Sequence, residues 1–119
     1  MSHQGSHYRV DLKVLLLMSC LLLAACGASN DVTIKTEGMH FVKDEVRVKA
    51  GQPVTLQVVN QDGYAHTFDL DEFDIHAPLP AKATFGAVFT PTAPGRYRFY
   101  CGSPGHATAG MVGVLVVEP

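Results

Sequence analysis

The sequence lacks the features that mark several common classes of protein. Its 119 residues include 9 basic and 11 acidic side chains, so nothing indicates the basic surface that nucleic acid requires, and we expect no nucleic-acid partner. No segment keeps a helical period over about eleven residues. The longest apolar run, residues 14–25, is shorter than the about 20 residues that cross a bilayer as a helix. A chain of this length fits one small domain.

The amino-terminal segment has the pattern of an export signal. Two basic residues precede the apolar run, and the run ends in LAAC at residues 23–26. This motif resembles the lipobox of bacterial lipoproteins, in which the cysteine becomes the lipidated first residue. We predict that residues 1–25 are a signal peptide and that Cys26 is lipidated, with an uncleaved anchor helix as the alternative. The protein would then be exported and anchored on the outer face of the cell membrane or facing the periplasm.

Cysteine is scarce in what remains. Residues 26–31 are a short segment of mostly small, polar side chains, which predicts a tether. The predicted domain comprises residues 32–119. Cys101 is the only cysteine in that domain, so an internal disulfide is excluded. Three interpretations of Cys101 stay open at this point: a buried inert residue, a reactive nucleophile or a metal ligand.

Short segments of alternating apolar and polar residues predict an all-β domain. Gly- and Pro-containing turns separate them, which is typical of an antiparallel sandwich or barrel. Residues 71–81 contain two prolines and predict an irregular connection, or an edge strand followed by one. The predicted strands are residues 32–37, 45–50, 53–60, 66–70, 82–90, 96–101 and 111–118.

The segment RYRFYC, residues 96–101, places its uncharged residues on one face, so Cys101 is expected at the buried end of a strand. His106 and Met111 follow with the spacing C-x4-H-x4-M, in a loop whose glycines permit tight turns. His66 also begins a predicted strand and is therefore preferred as a further ligand over His40 and His76, which are expected at the surface. Two imidazoles, a thiolate and a weak thioether form the ligand set of mononuclear blue-copper sites.

Two stretches, VTLQVVNQDGYAHTFDL and PGRYRFYCGSPGHATAGMVGVLVVE, resemble the copper-site region of the cupredoxins. The resemblance implies an eight-stranded Greek-key sandwich that binds one copper ion through His66, Cys101, His106 and Met111. It also implies that the backbone amide after the first histidine donates to the cysteine sulfur. Plastocyanin-like members carry Asn at that position, whereas this chain has Thr67, which puts the side-chain brace between the two ligand segments in question.

The leading function is a membrane-tethered one-electron carrier, with a periplasmic copper chaperone or copper buffer as the alternative. The chain lacks His-x-His pairs and any nucleophile–base arrangement, so we expect no enzyme activity. The expected partners are redox proteins such as cytochromes or a terminal oxidase or reductase, and the chain is expected to be a monomer. His106, with small uncharged neighbours, is the expected point of electron entry.

Two further surface features have competing interpretations. The acidic side chains Asp69, Asp71, Glu72 and Asp74 form either a docking patch for a basic partner or an ordinary solvated face. Tyr100 is either a second electron exit, as in plastocyanin-like proteins, or an outward-facing neighbour of Cys101.

Overall fold

The protein forms eight strands and one short 3-10 turn over residues 30–119, the part that the structure, a computed structural model, describes. The strands are β1 (Asn30–Thr36), β2 (Glu45–Lys49), β3 (Val54–Asn60), β4 (His66–Leu70), β5 (Ile75–Leu79), β6 (Thr84–Phe89), β7 (Gly95–Tyr100) and β8 (Val112–Glu118). Buried and exposed residues alternate along β1, β2 and β3, as the sequence predicts. The signal peptide and Cys26 lie outside the described residues.

The strands form two packed sheets, ordered β1-β3-β6 and β2-β8-β7-β4-β5, and the predicted Greek-key sandwich is confirmed. Four of the six strand pairs are antiparallel, as is typical of the predicted sandwich, and two are parallel: β1 pairs with β3, and β2 pairs with β8. The cause is the path of the chain. Because β1 and β2 are consecutive but lie in different sheets, each pairs with a strand that it does not adjoin in the sequence.

The Pro-rich segment contains an edge strand. After a turn at Asp71–Phe73, β5 pairs with β4 at the end of the five-stranded sheet. Pro78 is acceptable there because an edge strand needs hydrogen bonds on one side only. Within residues 30–119, no helix is long and apolar enough to cross a membrane.

Apolar side chains from both sheets meet in one core and leave polar residues at one end. Phe41, Phe68 and Phe99 pack together with ring centroids 5.2–5.8 Å apart. Beyond them, β1 and β3 end at the buried polar residues Thr36 and Asn60. The end of the sandwich where these strands stop is also where β4 begins and β7 ends, and it contains the candidate site.

Candidate metal centre

Three of the predicted ligands meet at this end of the sandwich. His66 is the first residue of β4, Cys101 follows β7 directly, and His106 lies in the loop between β7 and β8. The Cys101 Sγ atom lies 3.9 Å from His66 Nδ1 and 3.5 Å from His106 Nδ1, and the two Nδ1 atoms are 3.2 Å apart. His66 and Cys101 are buried, whereas His106 is partly exposed. Two imidazoles and a thiol therefore converge on one point.

The spacing of these atoms fits a shared metal ion. Nitrogen and sulfur ligands bind such an ion at about 2.0–2.3 Å, so ligands spread around it lie roughly 3.2–3.9 Å from one another. The three observed separations, 3.2, 3.5 and 3.9 Å, fall in this range. A single cation can accept the lone pairs of three donor atoms that lie this close together. The donor types, two nitrogens and one soft sulfur, suit copper.

Met111 lies at the base of the same loop and is fully buried. Its carbonyl accepts the Cys101 N–H at 3.1 Å, and its own N–H donates to the His106 carbonyl at 3.0 Å. These bonds close the loop of residues 102–110 onto the end of the sheet. Gly105 and Gly110 have φ angles of 82° and 106°, a conformation that other residues rarely adopt, so the loop turns where the sequence places glycine.

The second ring nitrogen of His66 has a partner that sequence reasoning missed. His66 Nε2 lies 2.9 Å from Asp62 Oδ2, and the His66 side chain is completely buried. A carboxylate accepts hydrogen bonds and does not donate them, so in the neutral ring the proton is on Nε2 and Nδ1 keeps its lone pair. The sequence did contain a signal, since Asp62 lies four positions before the candidate ligand His66. Acidic residues are common in turns, so its place in a turn explained it without any role at a metal site.

Asp62 is itself held by several donors. The Gly38 N–H donates to Asp62 Oδ1 at 2.9 Å, and the Thr36 hydroxyl donates to Oδ2 at 2.8 Å. Burial by itself raises the pKa of Asp62, but the bonds from Gly38, His66 and Thr36 outweigh burial and bring this pKa below its ordinary value. Asp62 is therefore a carboxylate at neutral pH.

The sulfur of Cys101 receives the predicted backbone bond from the residue after the first histidine, Thr67 N–H, at 3.3 Å. The Thr67 hydroxyl donates to Asp69 Oδ2 at 2.6 Å and accepts the Gly102 N–H at 2.6 Å. Gly102 follows Cys101, so this hydroxyl joins the two ligand segments. Threonine thus supplies the brace that the family's asparagine was expected to supply.

The remaining candidates lie outside the cluster. His40 and His76 are exposed, and His76 Nδ1 is 3.1 Å from Asp69 Oδ1, which raises the pKa of His76. Asp69 is mostly buried, so it is not a free docking charge, whereas Asp74 is fully exposed. Tyr100 is half-buried; its hydroxyl bonds to Asp71, and this bond raises the pKa of Tyr100.

An eight-stranded Greek-key sandwich with two histidines and a cysteine gathered at one end is the arrangement of small copper proteins. The chain matches the Cupredoxin-like domain family over residues 12–117 and belongs to that family. No curated protein sequence gives a significant match.

Solved structures of the same fold include several copper proteins. The auracyanin of Roseiflexus castenholzii, reduced with dithionite, is 24% identical over 78% of this chain and 100% of its own, with a TM-score of 0.67. Auracyanin A of Chloroflexus aurantiacus is 24% identical over 74% and 98%, with a TM-score of 0.63. The metal-binding domain of the Cu(I)-exporting ATPase CopA of Streptococcus pneumoniae D39 is 20% identical over 75% and 85%, with a TM-score of 0.64.

Proposed function

We propose that the protein is a one-electron carrier that binds one copper ion through His66, Cys101, His106 and Met111. The observation that carries the proposal is the convergence of one buried sulfur and two Nδ1 atoms within 3.9 Å. The auracyanins of the same fold support it, since auracyanin A is described as a blue copper protein. When bound, copper supplies the redox chemistry by changing between the cupric and cuprous states.

The chain's own residues have separable tasks in this function. Cys101 and His66 are buried, so they exclude water from the centre. Backbone bonds from Met111 to Cys101 and His106 fix the loop, which limits rearrangement between the two oxidation states. His106 is partly exposed beside Pro104, Gly105 and Ala109, which carry no charge. A redox partner, such as a cytochrome or a terminal oxidase or reductase, would make its contact at this uncharged surface.

The alternative function is a copper chaperone or buffer that binds cuprous ion without a redox role. The fold it shares with the CopA domain, whose structure contains Cu(I), favours this second candidate. The two functions differ in what they require of cupric ion. A carrier must bind both oxidation states and interconvert them reversibly, whereas a chaperone needs only the cuprous state.

Visible absorption of the copper-loaded protein separates these functions. We expect strong cupric–thiolate absorption that a reductant bleaches and an oxidant restores. Cys101→Ser should abolish it, because the sulfur is the absorbing ligand, whereas the matched Cys26→Ser variant should retain it. Colour that persists in Cys101→Ser would refute the site, and binding of cuprous ion alone would favour the chaperone.

A further inference from the structure

We infer that Asp62 is a positioning residue for the metal centre: it fixes the Nε2–H tautomer of His66 and thereby favours the cupric state of bound copper. The inference deepens the proposed function and rests on it. Asp62 contacts a proposed ligand directly: its Oδ2 atom lies 2.9 Å from Nε2 of His66, the ring nitrogen that faces away from the cluster.

Hydrogen bonds hold Asp62 in place against His66. Its backbone N–H donates to Asn60 Oδ1 at 2.9 Å, in addition to the two bonds that its carboxylate accepts from Gly38 and Thr36. Asn60 Nδ2 in turn donates to the carbonyls of Tyr64 and Leu79 at 2.8 and 3.0 Å. This buried network ties Asp62 to both sheets, so the orientation of the His66 ring is set by the fold.

The contact with Asp62 also determines which nitrogen of the neutral His66 ring carries the proton. With Nε2–H donated to a carboxylate, Nδ1 is an unprotonated electron-pair donor in the ring that faces Cys101. If Nδ1 carried the proton instead, His66 would present N–H to the cluster and would have to lose that proton before it could bind a metal. Asp62 therefore removes one proton-transfer step from metal binding.

The negative charge of Asp62 acts on the metal centre through the His66 ring. A carboxylate bonded to the far nitrogen of a ligand imidazole makes that imidazole a stronger electron donor. Negative charge near the centre stabilises a doubly charged ion more than a singly charged one. Asp69, the other carboxylate near the site, bonds to Thr67, His76 and Gly102 and to none of the four proposed ligands, so only Asp62 acts through a ligand ring.

The variant Asp62→Asn tests the charge and the tautomer together. An amide cannot accept from Gly38 on one atom and from His66 on the other, because one of those atoms is now a donor. We expect the affinity for cupric ion to fall about tenfold relative to that for cuprous ion, which raises the reduction potential by about 59 mV. Asp31→Asn removes the same charge from an exposed position at the far end of β1 and should leave this ratio unchanged.

A measurement on the unaltered protein protects the test against misfolding of the variant. Nitrogen-15 NMR of the metal-free protein should show His66 as the Nε2–H tautomer. The inference is overturned if His66 is protonated on Nδ1, or if Asp62→Asn shifts the affinity ratio no more than Asp31→Asn. If the unaltered protein binds no copper, the proposed function fails, whereas the tautomer still tests the role of Asp62.

Discussion

Thr67 links the two segments that contain the proposed ligands, the start of β4 and the loop that begins at Cys101. Its N–H donates to the Cys101 sulfur, and its hydroxyl connects Asp69 with the Gly102 N–H. The first bond needs only the backbone and survives any substitution that keeps the strand, whereas the second needs a hydroxyl. The two contributions can therefore be separated by mutation.

Thr67→Val removes the hydroxyl and keeps the shape of the side chain. We expect a loss of about 1 kcal/mol in the free energy of unfolding, because the Gly102 N–H keeps only its longer bond to Asp69 at 3.1 Å. The copper–thiolate absorption band should stay near its original position, since the backbone bond to sulfur is retained. Urea unfolding and the visible spectrum measure the two effects. Thr67→Ser keeps the hydroxyl and should match the unaltered protein, and equal losses in both variants would contradict the assignment.

At the scale of residues, sequence patterns indicate the metal-binding side chains better than they indicate the residues that hydrogen-bond to them. Alternation along RYRFYC predicts where Cys101 sits, because inward and outward positions follow from the strand itself. The contacts of Asp62 and Thr67 depend on how β1, β3 and the loop after β7 meet in space. No local pattern encodes such a meeting, so the sequence indicated only a turn residue at Asp62 and left the side-chain contact of Thr67 in question.

At the scale of elements, β7 and β8 pack closely at one glycine. Gly113 faces Phe99, and a Cβ atom built on Gly113 would lie 2.2 Å from the Phe99 ring and 2.8 Å from the Asp44 carbonyl. Phe99 cannot yield easily because Phe41 and Phe68 pack against it. A hydrogen atom is thus the only side chain that fits at this point of β8.

Gly113→Ala should therefore overpack the core and lower the free energy of unfolding by roughly 1–3 kcal/mol. In the matched substitution Gly86→Ala in β6, the new Cβ atom would lie 3.8 Å from the Leu56 carbonyl, an ordinary contact, so the change should be near neutral. Urea denaturation of the metal-free proteins compares the two, which keeps metal binding out of the measurement. Equal stabilities of these variants would show that β8 can shift to accept the methyl group.

Strand existence is more predictable than strand partnership in this chain. Each predicted strand has a counterpart in the structure, because alternation and turn residues are local signals. The parallel pairing of β1 with β3 and of β2 with β8 depends on which sheet each strand joins. β5 was ambiguous for a related reason, since Pro78 is compatible with a strand only at an edge.

At the scale of the whole molecule, the amino-terminal end of the domain lies far from the site. β1 runs from Asn30 to Thr36, and a strand of this length spans about 20 Å. Thr36 contacts Asp62 beside His66, so Asn30 is at the opposite end of the sandwich. A lipid on Cys26 would therefore hold the protein by the end away from the metal, with His106 available to partners.

This arrangement predicts that anchoring and electron exchange can be removed independently. If Cys26 carries the predicted lipid, Cys26→Ser should move the protein from the membrane to the soluble fraction, because the acyl chains would be lost. Its copper spectrum and its exchange rate with a soluble redox partner should not change. Ala109→Lys should leave membrane attachment unchanged and slow electron exchange. Ala109 is exposed in the His106 loop, and a charge there obstructs the close approach of a redox partner.

Fractionation of the host cells and stopped-flow kinetics measure the two properties in both variants, and each variant is the control for the other. An intact amino terminus without acyl chains, seen by mass spectrometry, would refute the anchor. Unchanged exchange in Ala109→Lys would place the electron path elsewhere. Tyr100 is then the next candidate, because it adjoins Cys101 and is half-buried beside Arg98.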